Sequence, residues 1–198
     1  MKRNVTVLLF VAAVFIVTAA ALAAPTPTAE NARSGAIYFA ARAGSSWSYV
    51  AGDKAKARIT VDTVENWAAR FHVEWGKRST SGTWRVRDGA WVEKLPTHEE
   101  SVVLPAQLSV GSRWTGPSSL ERGEKGLSKF EVISMDAQVE LPNGGSREGC
   151  VAVLETGEGS DHAFTHFYAP NAGKVAVQGP EGWVLRLIEY RAGRAPGE

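Results

Sequence analysis

Residues equipped for chemistry are sparse in this chain. His162 and His166 stand four apart in the run Asp161-His-Ala-Phe-Thr-His-Phe-Tyr-Ala-Pro-Asn-Ala-Gly-Lys-Val-Ala-Val-Gln178, a spacing that brings two ligands to one zinc ion only on a helix. The aromatic residues around them predict a strand, on which four residues advance about 13 Å, whereas each ligating nitrogen must come within about 2 Å of the metal. A metal shared by these two alone is excluded, and both read as surface or aromatic-packing histidines. A serine nucleophile calls for a sharp turn of the G-x-S-x-G kind, and the sequence has none; nothing places His72 or His98 beside a glycine-serine pair. The acidic pairs Glu99-Glu100 and Glu155 with Glu158 fit a solvated rim. Gly144-Gly145 and Gly157-Glu-Gly159 are too short to cradle a phosphate, and neither opens a helix. Cys150 is the single cysteine, which rules out an internal disulfide. Nothing in Cys150-Val-Ala-Val-Leu154 would lower its pKa, so it is expected to pack as a small apolar residue. The expectation is a protein that is not an enzyme and uses neither metal nor cofactor.

The elements that would position any site are strands. Ala55, Ala57, Ile59 and Val61 alternate with Lys56, Arg58, Thr60 and Asp62, the period of two of a half-buried strand. Trp67, Ala69, Phe71, Val73 and Trp75 repeat that pattern, and the short link Glu65-Asn66 makes the two strands antiparallel neighbours. Asp88-Gly89 is the strongest two-residue hairpin signal. Leu127 to Leu141 changes phase once, apolar at Phe130 and Val132 and then at Ile133, Met135, Ala137, Val139 and Leu141, which predicts a bulge near Val132-Ile133. Turns follow at Pro142-Asn-Gly-Gly145, Pro170-Asn-Ala-Gly173 and Gly179-Pro-Glu-Gly182. About ten strands without an amphipathic helix indicate an all-β domain, a single antiparallel, strongly curved sheet in the form of a half-open barrel or sandwich, after an N-terminal signal helix.

The start of the chain gives an address. Met1-Lys-Arg3 precedes an apolar run from Val5 to Ala20 and the small residues Ala21-Leu-Ala23, the layout of a cleaved signal peptide. The expected organisation is a signal peptide over 1–23, a linker over 24–34 containing Pro25-Thr-Pro-Thr28, the all-β domain over 35–191 and a disordered tail over 192–198. No lipid-attachment cysteine stands at the cleavage site, so the expected location is periplasmic or secreted, with no stable membrane anchor after cleavage. Lys and Arg number 22 against 21 Asp and Glu; without Lys2 and Arg3 the balance is about −1, which leaves no electrostatic footprint for nucleic acid.

Seven tryptophans are the unusual feature, several of them on apolar strand faces. Filled cores are the default packing. If the curved sheet instead encloses an apolar cavity, its lining is expected from Trp67, Phe71, Trp75, Trp84, Met135 and Phe164.

Three motifs, Tyr38-Phe-Ala-Ala-Arg-Ala-Gly-Ser-Ser-Trp-Ser-Tyr49, Leu104-Pro-Ala-Gln-Leu-Ser-Val-Gly-Ser-Arg-Trp114 and Phe167-Tyr-Ala-Pro-Asn-Ala-Gly-Lys-Val175, resemble those of a diffuse group of uncharacterised bacterial exported and envelope proteins of the domain-of-unknown-function type. The chain departs from that group in carrying Ala40-Ala41 where proline-leucine is usual, and Asn171-Ala172 within the last turn. Members are similar in outline to the open β-barrels of the lipoprotein-localisation factors LolA and LolB. The resemblance implies a curved antiparallel sheet and carriage or binding rather than catalysis; it transfers no functional residue. The function expected is that of an exported non-enzymatic envelope protein binding an apolar small molecule or lipid in its sheet. The alternative is a structural module contacting an envelope protein partner, and a hydrolase built on His162 or His166 has the least support.

Overall fold

Alternating apolar and polar side chains organise the chain into strands. The computed structural model describes residues 32–52, 55–96, 99–117, 126–157 and 163–193. Its strands are β1 (Ser46–Ala51), β2 (Ala55–Glu65), β3 (Ala68–Trp75), β4 (Arg78–Arg87), β5 (Ala90–Lys94) and β6 (Ser101–Leu104). The second half supplies β7 (Arg113–Pro117), β8 (Leu127–Glu140), β9 (Ser146–Gly157), β10 (Ala163–Ala169), β11 (Gly173–Gly179) and β12 (Gly182–Arg191). All twelve belong to one antiparallel sheet in the order β6-β5-β4-β3-β2-β1-β12-β11-β10-β9-β8-β7. The sheet curls into a nearly closed barrel in which its two edges, β6 and β7, face each other. The all-β, strongly curved antiparallel architecture is therefore the observed one. The signal segment 1–23, its expected helix and most of the linker lie outside the described residues.

Successive strands pair with their chain neighbours, and β1 closes onto β12 through Trp47 opposite Tyr190. The two halves of the chain thus form two meanders sharing that seam, while β6 and β7 are bridged by the Trp114 indole, whose Nε1–H donates to the Val102 carbonyl at 3.2 Å. On β2 and β3 the expected alternation holds: Ala57, Val61, Ala69 and Phe71 are buried, whereas Lys56, Arg58, Arg70 and Glu74 are exposed. In β8 the pairing with β9 slips between Val132 and Ser134, the position at which the phase change predicts a bulge. Ile133 is the extra residue and faces solvent, while Met135, Ala137 and Leu141 turn back onto the core.

Trp67 is corrected by the structure. It does not begin a strand; Asn66 and Trp67 are the two turn residues between Glu65 and Ala68, with φ of 48° and 62°. Both left-handed angles belong to the tight hairpin turn whose twist matches the flanking strands, a conformation that suits Asn at the first position and Gly at the second. A tryptophan there works against its own Cβ, at a cost of roughly 1–2 kcal/mol. The inward face of β3 starts at Ala69.

One end of the barrel is stopped by the segment before β1. Arg33 bridges to Leu108, the Gly35 amide donates to the Pro105 carbonyl at 3.0 Å, and the Ala36 amide donates to Gly89 at 3.0 Å. The 3-10 turn Gly35–Tyr38 then drives Tyr38 into full burial. The Pro170-Asn-Ala-Gly173 turn clamps it from the other side. Asn171 donates its amide to Ile37 at 3.0 Å, and the Trp47 indole donates to the Ala172 carbonyl at 2.6 Å. At the far end of the chain, Gly193 donates to Ser45 Oγ at 2.9 Å, so the first two residues of the expected tail, Ala192 and Gly193, are structured.

The plug has a tight point. A Cβ on Gly35 would lie 2.5 Å from the Pro105 carbonyl oxygen and 2.6 Å from that of Leu104, and both are backbone atoms. Gly35→Ala is expected to destabilise the barrel by about 1–3 kcal/mol in urea unfolding; a variant as stable as the parent would show that the plug does not seat as described.

Candidate functional site

The lumen is filled by a lattice of rings. Phe71 stacks on Trp84 with centroids 4.1 Å apart, and Trp84 meets Trp47 and Trp91 edge-on at 5.7 and 5.6 Å. Trp91 meets Tyr168 edge-on at 5.8 Å, and Trp47 stacks on Tyr190 at 5.1 Å. Strand alternation puts them there: Trp47 and Tyr49 on β1, Phe71 on β3, Trp84 on β4, Trp91 and Glu93 on β5 share the inward face through register pairs such as Ala69 with Trp84 and Trp84 with Glu93. The lattice leaves a cavity of about 100 Å³ walled by Phe39, Trp47, Tyr49, Trp84 and Trp91, with Glu93 and Lys174 as its charged members.

Polar groups line up through this apolar interior. The Trp84 indole donates to Glu93 Oε1 at 2.7 Å, and the Tyr49 hydroxyl donates to the Lys174 carbonyl at 2.8 Å. Burial drives the Tyr49 phenol far above its ordinary range, with Tyr168 adding to the effect. Tyr168 is raised as well, by burial above all; Lys174 opposes the rise more strongly than the Glu93 and Glu155 carboxylates add to it. Burial by itself would lower Lys174. Tyr168, Glu93 and Glu155 outweigh that and hold its ammonium above the usual value, with Nζ 5.5 Å from the Tyr168 ring centre. The interior accordingly carries protonated phenols and one ammonium between two carboxylic side chains.

Further along β9 and β10, Glu155 and His166 are both buried, and His166 Nε2 lies 2.6 Å from Glu155 Oε2. Burial first, and the Lys174 charge second, lower the His166 pKa against the opposing pull of Glu155. The neutral ring then donates from Nε2 to Glu155 and leaves Nδ1, which has no partner, as a bare acceptor. Protonation would place a second, unsatisfied donor in the interior. Trp91 Nε1 and Tyr38 Oη are also buried without partners.

The residues named from the sequence scatter. Phe71 and Trp84 come together in the lattice, and Trp84 alone of the six lines the cavity. Met135 packs at the margin of the core on β8. Phe164 covers Gly179 at the opposite end of the barrel, where it joins Gly52, Trp183 and Val184 around an open recess of about 630 Å³. Trp75 is exposed at the end of β3, and Trp67 is exposed at the turn. Sequence reasoning missed Trp47, Tyr49, Trp91, Glu93 and Lys174. The i, i+2 pairs Trp47 with Tyr49 and Trp91 with Glu93 carried a signal, since members of such a pair share a strand face. Lys174 carried none, because a lysine in a strand ordinarily points to water. His162 lies outside the described residues, so the expected separation of the histidine pair stands on strand geometry alone. Cys150 is buried and its thiol is pushed up to about 11 by burial, in keeping with a packing role.

Family models, curated proteins and solved structures offer no match to this chain. The functional reading therefore rests on geometry and chemistry.

The His166 site sets a pH dependence. Its folded pKa lies below the ordinary 6.5, so below that pH the unfolded chain binds a proton that the folded chain refuses, and stability falls as pH is lowered from about 6.5. The contribution is at most about 1.4 kcal/mol per pH unit. His166→Gln, which can still donate to Glu155, is expected to flatten that slope in urea titrations between neutral and mildly acidic pH. An unchanged slope would assign the acid sensitivity to other groups.

Proposed function

We propose that this chain is an exported, non-enzymatic protein of the bacterial envelope, periplasmic or secreted, that holds a small apolar ligand in the lumen of its barrel. The observation that carries the reading is the aromatic cavity of about 100 Å³ beside Glu93 and Lys174. Concave sites with apolar walls and a few convergent polar groups are the usual form of a ligand pocket. Size narrows the ligand. A cavity of about 150 Å³ accepts benzene, so this one suits a molecule no larger than a small ring, and a fatty-acyl chain is too long for it. Trp91 lines the cavity and its buried indole N–H has no partner, so we infer a ligand that carries a hydrogen-bond acceptor.

Thermal unfolding and tryptophan emission in the presence of cyclopentanone and cyclopentane test this reading. Both probes are expected to raise the unfolding midpoint, cyclopentanone more strongly, and Trp91→Phe should abolish the difference while keeping the wall. Absence of any response to either ring would sink the lumenal site.

A second reading, an interaction module contacting another envelope protein, is favoured by how completely rings fill the rest of the lumen and by the two sheet edges, β6 and β7, that lack a shared ladder. Photo-cross-linking from Thr115 in intact cells would support it by trapping one defined protein.

A further inference from the structure

Trp67 is the most exposed of the large apolar side chains described, at 79%, and it occupies a left-handed position in the Asn66-Trp67 turn, with φ 62°. It makes no hydrogen bond or ring contact among the described residues. The side chain thus contributes little packing to the barrel while its backbone sits where glycine would be favoured. Strain of this kind at an exposed tip directs attention to a role outside the fold.

Its surroundings combine apolar side chains and arginines with the exposed carboxylates of Glu65 and Asp88. Strand alternation gathers the β2–β3, β4–β5, β6–β7, β8–β9 and β10–β11 connections and the plug at one end of the barrel. There Trp67 flanks an open recess of about 1110 Å³ whose walls include Phe39, Val64 and Val86, with Arg42 and Arg191 among its lining residues. Ile37, Val64 and Val110, exposed at 41%, 37% and 47%, lie on the same end. Arg191 is held by Glu189 at 2.8 Å, whereas the Arg42 guanidinium has no ion-pair partner among the described residues. Apolar prominences of this kind mark interaction surfaces. Tryptophan with aliphatic neighbours suits the boundary between headgroups and acyl chains, and flanking arginines complement lipid phosphates.

We propose that this end of the barrel docks on a bilayer containing anionic lipid, with Trp67 inserted at headgroup level and Arg42 and Arg191 facing phosphates. The recess shares Phe39 with the wall of the lumenal cavity, and docking as proposed requires no lumenal ligand.

Trp67→Gly separates docking from folding, because glycine relaxes the turn. The full chain and its variants are mixed with vesicles of phosphatidylcholine alone or with phosphatidylglycerol, some carrying lipids brominated in the upper acyl chain. For Trp67→Gly the expected result is an unfolding midpoint at or above the parent's and an affinity for anionic vesicles lower by about tenfold. The parent-minus-variant emission should be blue-shifted by vesicles and quenched by the brominated lipids, and Arg42→Gln should weaken binding to anionic vesicles more than to neutral ones. Undiminished binding by Trp67→Gly, a lowered midpoint, or difference emission that stays that of water-exposed indole would each overturn the proposal. The emission readout also distinguishes docking by this end from adhesion through any other part of the chain.

Discussion

The face-to-face contact between Phe71 and Trp84 is the constraint on which the rest of the barrel depends. A sheet of twelve strands closes around more space than the side chains of an eight-stranded barrel can fill, and voids in an interior forfeit contacts on every wall that lines them. Rings solve this with few residues. Trp84 lies flat on Phe71 and edge-on to Trp47 and Trp91, so a single side chain ties together β1, β3, β4 and β5. The plug supplies Tyr38 and Phe39 where the strands alone would leave an open end.

Such an interior imposes terms on the polar groups inside it. Glu93 is stabilised by the Trp84 indole, Lys174 by the carboxylates and phenol around it, and Glu155 by the neutral His166 ring. Each depends on a partner from another strand, so these groups fix the register of the barrel as well as its local charge. They also keep the cavity from being uniformly oily.

Much of the fold was legible in the sequence because the physics that sets it is local. Period-two alternation marked β2 and β3, Asp88-Gly89 marked the β4–β5 turn, and the phase change in β8 located the bulge at Ile133. The site was less legible. Trp67 continued an apolar alternation by one residue, and only the pairing of Glu65 with Ala68 shows that it belongs to the turn. Lys174 and Glu155 look like solvent-facing strand residues until the sheet is closed, since what keeps them in the interior comes from other strands, Tyr168 and Glu93 for Lys174 and His166 for Glu155. The cavity has no sequence signature, being the difference between the width of the barrel and the volume of its rings.

The bridge between β6 and β7 bears on how the interior communicates with solvent. Every other neighbouring pair is held by a ladder of backbone hydrogen bonds, whereas here the bond seen among the described residues is that of the Trp114 indole to Val102. Val103, the next residue on β6, stands in the cavity wall. Among the described residues, parting these two edges would break that one side-chain bond and leave all eleven ladders intact. The barrel is a clasp with one fastening, set beside the space it encloses.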